Sequence, residues 1–198
     1  LVEYTFRRNG ATGPGYTTIV GAGANATILH YIENDQRVGE NDLVLLDAGA
    51  EYDCFTADIT RTWPASGRFS GPQRDIYELV LASQKAAIDM VRPGATTQAI
   101  HDEVVRILTS GLVDLGLLEG PVEKAIEEGT YKKFYMHKTG HWLGMDVHDV
   151  GKYKLQKEWR PMTAGIVQTI EPGLYIAEDC DSVAPHWRGI GVRIEDDV

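Results

Sequence analysis

Apolar positions divide the chain into a strand-like first third, a helical middle and a strand-like end. Residues 1–34 carry short β-favouring runs, Thr17–Gly21 and Thr27–Tyr31, with turn material at Gly10–Tyr16. Leu43–Ala48 and Thr56–Thr62 read as two strands joined through Gly49–Phe55. From Gly71-Pro72 the period changes. Ile76, Leu79, Val80, Ser83, Ala87 and Met90 recur at helical spacing and predict a helix to about Val91, stopped by Arg92-Pro93-Gly94. Ile100, Val104, Ile107, Leu108, Leu112 and Leu115 predict a second helix over Thr96–Leu117, with His101 beside the stripe as a surface residue. Pro121–Glu128 reads as a short acidic helix, and Lys152–Pro161 as a charged loop. Residues 164–179 read as two short strands bent at Glu171-Pro172-Gly173, and Gly189–Val198 as a final strand.

The chemistry lies where polar residues interrupt this pattern. Phe134–Gly151, FYMHKTGHWLGMDVHDVG, holds His137, His141 and His148, three of the six histidines. Trp142, Leu143 and Met145 place apolar bulk between them, which predicts a half-buried wall with imidazoles aimed into a cleft. Neutral imidazole is both a metal ligand and a proton carrier near pH 7. The four-residue spacing of His137 and His141 suggests a helical zinc pair, but that motif needs Glu after the first His, and here Lys138, Thr139 and Gly140 oppose a helix. Structural histidines bonded to backbone are the plainer alternative.

Carboxylates interrupt the strands in the same way. Asp47 follows four apolar residues, and Asp58 lies inside the returning strand. Aspartate is disfavoured in strands, and a buried lone carboxylate must be paired, protonated or metal-bound. Across a hairpin the two would repel unless a cation lay between them, with Arg61 as the structural alternative partner. Glu171 sits among apolar residues. Glu195 and Arg193 share one strand face, where they could form an ordinary ion pair.

Composition narrows the class. At 198 residues, 43% apolar and 24% charged, the sequence reads as one soluble domain over 1–198, with no apolar run of membrane-spanning length. It begins at Leu1 and ends directly after a strand, so it reads as a piece of a longer protein. A formal charge of −10 disfavours nucleic acid as a partner. Cys54 and Cys180, without metal-binding spacing, suggest buried or idle thiols in a reducing, cytoplasmic setting. Gly21-Ala-Gly23-Ala-Asn25 reads as a turn rather than a phosphate loop, and Asn25-Ala-Thr27 would be a glycosylation acceptor only in a secreted protein.

Asp47, Asp58, His141, Glu171 and Glu195 thus form a candidate ligand set of four carboxylates and one imidazole. Two divalent cations would balance four negative charges. Such oxygen-rich donors favour manganese, cobalt or iron(II). A two-metal site activates water and clamps a carbonyl, which points to amide or ester hydrolysis.

LLDAG, ADITRTWP, HKTGHWLGMDVHDVG, TIEPGLY and GVRIED, in this order, resemble the pita-bread metallopeptidases of family M24, and within them the aminopeptidase P (Xaa-Pro aminopeptidase) branch. The resemblance implies an α/β (α+β) pita-bread fold, a curved, largely antiparallel sheet covered by helices. It implies hydrolysis of the N-terminal Xaa-Pro bond of peptides through a hydroxide bridging two divalent ions, Mn²⁺ first, with Co²⁺, Fe²⁺ or Zn²⁺ as alternatives. Asp58 and Glu195 would bridge both ions, Asp47 would chelate one, and His141 and Glu171 would bind the other. Glu171 would also handle the hydroxide's proton, and His148 would steady the tetrahedral intermediate. His137 would contact the substrate near its proline, and His30, Tyr16 and Tyr175 would line the pocket. Arg193 would hold a bridging carboxylate. Lys138 stands where prolidases often have Gly, and His148-Asp149-Val150-Gly151 suits the proline-specific branch. Prolidase is the first alternative, and a metal-free peptide-binding module the second. Expected partners are peptides with proline at the second position, with no nucleic acid and no membrane, and a homo-oligomer in the full-length protein.

Overall fold

A computed structural model describes residues 1–198. Val2–Arg8 form helix α1, where a run of short strands is predicted. Glu3 in its first turn and Arg7 and Arg8 in its last complement the helix dipole, which outweighs the β-preference of Val2, Tyr4 and Thr5. Strands β1 (Gly13–Pro14) and β2 (Ile19–Ala22) follow. The predicted strand Thr27–Tyr31 is replaced by a 3₁₀ turn over Gly23–Thr27. Thr27 Oγ1 donates to the Ala24 carbonyl at 2.7 Å and closes that turn locally, a bond β-propensity does not register.

The predicted hairpin is more divided than its pattern suggests. Its strands are β3 (Leu43–Asp47) and β6 (Thr60–Pro64), and a smaller hairpin, β4 (Ala50–Tyr52) with β5 (Phe55–Thr56), is inserted between them. Asp58 therefore lies just before β6 rather than inside a strand. β3 pairs antiparallel with β2 and β6, and Asp47 stands opposite Ile19 and Thr60.

Helices α2 (Gly71–Met90), α3 (Thr97–Asp114) and α4 (Val122–Glu128) occupy the middle of the chain, as the periodicity predicts. Ser70 and Gln73 form a capping box at the start of α2, and Thr96 caps α3. The predicted charged loop contains a ribbon, β7 (Lys154–Leu155) with β8 (Glu158–Trp159). The last strands are β9 (Thr169–Ile170), β10 (Gly173–Ile176), β11 (Ile190–Arg193) and β12 (Asp196–Asp197). Every strand pairing is antiparallel, β10 with β11 and β9 with β12.

The inner faces of α2 and α3, with Ile76, Val80, Leu108 and Leu112 at or near zero exposure, pack on Leu174, Ile176, Val192 and Ile194. Each such side chain contributes roughly 1.5–3 kcal/mol on burial, as an upper bound. The opposite side carries a smaller cluster of Ile19, Leu45 and Tyr175, and the polar cleft opens there. At the sheet crossing the Glu195 amide donates to the Thr60 carbonyl at 3.1 Å, and Thr62 Oγ1 donates to the Arg193 carbonyl at 2.9 Å. His101, predicted on the surface, is buried instead. Its Nδ1 lies 2.9 Å from Thr139 Oγ1, and burial lowers its pKa to about 4, with the Lys138 charge adding to the shift.

Candidate metal centre

Asp47 ends β3 and Asp58 precedes β6, so both carboxylates emerge at one end of the same ladder. Both are buried. The Tyr16 hydroxyl reaches both, at 2.5 Å from Asp58 Oδ1 and in still closer contact with Asp47 Oδ1. One hydroxyl proton cannot serve two carboxylate oxygens, so this junction calls for a further positive charge.

His141 is delivered by the segment between α4 and β7. Its backbone is laced to β9, with its carbonyl accepting from Thr169 N at 2.9 Å and its amide donating to Thr169 Oγ1 at 3.1 Å. Gly140 makes this approach feasible, since a Cβ there would lie 1.9 Å from the Thr169 carbonyl oxygen. His141 Nδ1 lies 3.1 Å from the Trp142 carbonyl, which fixes the proton on that nitrogen. Nε2 then faces the carboxylates, 3.4 Å from Asp58 Oδ2 and 3.4 Å from Glu171 Oε1. Burial alone would lower the His141 pKa, but Asp58 and Glu171 together raise it.

Glu171 follows β9 and is held extended by Pro172. Its Oε1 accepts from Thr169 Oγ1 at 3.2 Å, and burial pushes its pKa up to about 7. Glu195, only 1% exposed, accepts from Thr60 Oγ1 at 2.6 Å through Oε2, while its Oε1 has no partner at all. Burial, then the charges of Glu171, Asp58 and Asp47, hold its carboxyl well above the usual carboxylate range.

Arg193 does not pair with Glu195, contrary to the plain ion-pair reading. Its Nη2 reaches Asp47 Oδ2 at 2.6 Å, Nη1 donates to the Tyr175 hydroxyl at 3.0 Å, and Nε donates to Thr60 Oγ1 at 3.2 Å. Arg61 is not a partner of the aspartates either, because it binds Asp196 at 2.6 Å. Asp47, Asp58, Glu171 and Glu195 therefore face one buried guanidinium. The donor set fits divalent cations. It is oxygen-rich, it carries an excess of buried negative charge, Glu195 Oε1 is an orphaned acceptor, and His141 presents a free lone pair. Ligand atoms of Asp58, His141 and Glu195 all lie within 4.8 Å of one another.

These groups line a cleft of about 510 Å³, with Ile19, Leu29, Ile32 and Val147 as its apolar side. Tyr16, His30, His137 and His148 also line it. His148 is exposed at the rim, its ring edge-on to His141 with centroids 4.4 Å apart. His137 is anchored at both nitrogens, Nε2 to the Tyr175 hydroxyl at 2.9 Å and Nδ1 to the Lys138 carbonyl at 2.8 Å. Tyr175 is not a pocket wall. It is 2% exposed and stands behind His137, linking it to Arg193. Thr60 and Asp197 are absent from the sequence-derived set, although Thr60 bonds Glu195 and Arg193, and Asp197 Oδ2 accepts from the Asp58 amide at 3.1 Å. A strand threonine carries no signal that separates such a role from β-propensity.

The profile of the family described as metallopeptidase family M24 matches residues 1–198. The Xaa-Pro aminopeptidases of Haemophilus influenzae and Escherichia coli are 54% and 49% identical to this chain over 197 residues, spanning 100% of it and 45% and 44% of their own lengths. The solved structure of Pseudomonas aeruginosa aminopeptidase PepP superposes with a TM-score of 0.98 at 57% identity, covering 100% of this chain and 45% of that one. Escherichia coli aminopeptidase P with the inhibitor Pro-Leu gives a TM-score of 0.95 at 49% identity, covering 99% of this chain and 44% of that one. The chain thus spans less than half the length of these relatives, and its fold is the pita-bread arrangement of the aminopeptidase P structures.

Proposed function

Because the chain belongs to metallopeptidase family M24, we propose that residues 1–198 are one catalytic domain of an Xaa-Pro aminopeptidase, which removes an N-terminal residue preceding proline. The observation that carries this reading is the orphaned Glu195 Oε1, buried beside Asp58 and His141 in a cleft with surplus negative charge. Such a group is costly without a cation, which also speaks against a metal-free binding module.

In this reading Asp58 and Glu195 would hold both ions, Asp47 would hold one, and His141 and Glu171 would hold the other, with Mn²⁺ the ion best suited to the donors. When bound, the ions supply a water of lowered pKa and polarise the peptide carbonyl. Glu171, whose Oε1 lies 3.4 Å from His141 Nε2 in the cleft, would take the attacking water's proton and return it to the leaving amine. Asp47 lies near the substrate's free amine. His148, exposed at the rim where it can meet the substrate, would donate to the carbonyl oxygen as charge develops there. Both nitrogens of His137 are already engaged, so it meets the proline ring by packing. His30 and Tyr16 complete the walls, and Arg193 fixes the Asp47 carboxylate. No helix is long and apolar enough to cross a membrane, and both cysteines are free. A cytoplasmic location belongs to the same proposal.

The test is hydrolysis of an Xaa-Pro-Yaa tripeptide and an Xaa-Pro dipeptide by the full-length protein with Mn²⁺. Tripeptide cleavage that a chelator abolishes is expected. Preference for the dipeptide would make the enzyme a prolidase, and metal binding without cleavage of either peptide would refute the substrate class.

A further inference from the structure

His137 and His141 sit on one short strap, residues 137–141, with open space on both sides of it. The metal-centre cleft of about 510 Å³ lies on one side and a second cavity of about 330 Å³ on the other, and Lys138, Gly140 and His141 line both. Close packing, which holds most buried segments in place, therefore acts on this strap only in part. Its position depends on specific bonds. Two sets of them run to the β9 segment. The His141 backbone bonds Thr169, and the Thr139 carbonyl accepts from the Glu171 amide at 2.7 Å. These join the strap to the ladder that carries Glu171 and leave its attachment to the helical layer to side chains.

That attachment is made by His101, whose Nδ1 lies 2.9 Å from Thr139 Oγ1. It is the only side-chain hydrogen bond that joins α3 to the rest of the chain, because the pairs Gln98 with Asp102 and Arg106 with Glu103 stay within the helix. The Tyr135 hydroxyl lies 2.8 Å from the same Thr139 oxygen, which is its one partner. Tyr135 is 1% exposed, so it must donate there or leave a buried proton unpaired. Thr139 then accepts from Tyr135 and gives its own proton to His101 Nδ1. This direction needs a neutral imidazole, and burial keeps His101 neutral by lowering its pKa to about 4. The Tyr135 ring in turn meets the His137 ring edge-on, with centroids 5.1 Å apart. One line of contacts thus runs from α3 through Thr139 and Tyr135 to the strap that carries His137 and His141.

We propose that His101 is a positioning residue of the metal centre: by accepting from Thr139 it tethers the strap to α3 and so holds His141 Nε2 where it faces Asp58 and Glu171. The role rests on the metal-centre reading of the cleft. His101 itself lies behind the strap, lines the second cavity and not the cleft, and so touches neither substrate nor ion.

Variants of the full-length protein separate this bond from mere bulk. His101→Leu suits the buried face of α3 but removes the acceptor, His101→Asn returns an acceptor at the same distance along the side chain, and Thr139→Val removes the hydroxyl while keeping a β-branched residue. Mn²⁺ affinity, titrated without peptide, should fall about 10–100-fold in His101→Leu and in Thr139→Val, and His101→Asn should recover it to within about threefold of wild type. The double variant should lose no more than Thr139→Val alone, since both changes break one bond. In the metal-free protein, hydrogen exchange at the His141 and Glu171 amides should speed up in His101→Leu while β3 and β6 keep their protection. Unchanged Mn²⁺ affinity in His101→Leu, equal impairment of His101→Asn and His101→Leu, or losses that add in the double variant would each overturn the role. Tripeptide hydrolysis followed in parallel should fall in kcat, with KM within about threefold. A wild type that binds Mn²⁺ but cuts neither peptide would refute the substrate class alone, and the metal affinities would still decide the role of His101. A wild type that takes up no Mn²⁺ would overturn both.

Discussion

Replacing Glu171 by Gln probes the electrostatics on which the metal centre rests. In the metal-free protein burial raises the Glu171 pKa from 4.5 to about 7. The folded state then holds this proton more tightly than the unfolded chain does. The resulting stabilisation is fully present below about pH 4.5 and is lost as the pH rises through about 7. At about 1.4 kcal/mol per pH unit, the loss amounts to roughly 3 kcal/mol. Two histidines carry the opposite sign. Burial lowers His101 and His137 from 6.5 to about 4, so the unfolded chain gains protons first on acidification, and their contribution is lost as the pH falls from about 6.5 to about 4. The raw profile of the wild type mixes both trends, whereas its difference from Glu171→Gln cancels His101 and His137, on which the Glu171 charge does not act.

Urea unfolding of both proteins in chelator, from pH 4.5 to 8, should show the wild type losing about 3 kcal/mol relative to Glu171→Gln. In a thermal scan this is a relative shift of roughly 6–12 °C for a chain of this size. Glu195, whose carboxyl is also raised by the Glu171 charge, moves the difference in the same direction. Saturating Mn²⁺ should abolish the loss in the wild type. Parallel profiles in chelator would refute the reasoning, because they would mean that the Glu171 carboxylate is solvated and needs no cation.

Glu195→Gln or Asp58→Asn should lower metal affinity and turnover at least about 100-fold, measured by metal content after dialysis and by tripeptide hydrolysis. His148→Ala should lower kcat about 10²–10³-fold with little change in KM, as loss of one donor to a developing oxyanion does; a pure KM effect would assign His148 to ground-state binding instead. Arg193→Met leaves Asp47 buried without its counter-charge and should cost about 3–5 kcal/mol in denaturant unfolding of the metal-free protein. Gly140→Ala brings a Cβ to 1.9 Å from the Thr169 carbonyl oxygen, so it should reduce both Tm and the metal affinity of the His141 site, and an unchanged affinity would count against that lacing.

What the sequence reveals and what it hides follow from range. Helices α2 and α3 are legible because their causes are local: an apolar stripe at helical period, Ser70 with Gln73, and Thr96 as a cap. Helix α1 is not, because seven residues with no buried side chain leave no stripe to detect. The interruption of apolar runs by Asp47 and Glu195 is legible for a related reason. A carboxylate in such a place is expensive, and the expense is written at that position alone. The group that relieves it is written elsewhere. Arg193 sits two residues from Glu195, yet its guanidinium crosses to Asp47, 146 positions away in the chain. Thr60 meets Glu195 across 135 positions, and His101 is drawn inward by Thr139 across 38. No local pattern ranks these partners against nearer ones, because the choice is made by the crossing of β6 with the end of β11. The same limit explains Glu195 Oε1. Among these 198 residues nothing relieves it at any range, so no position in the sequence could have signalled its partner.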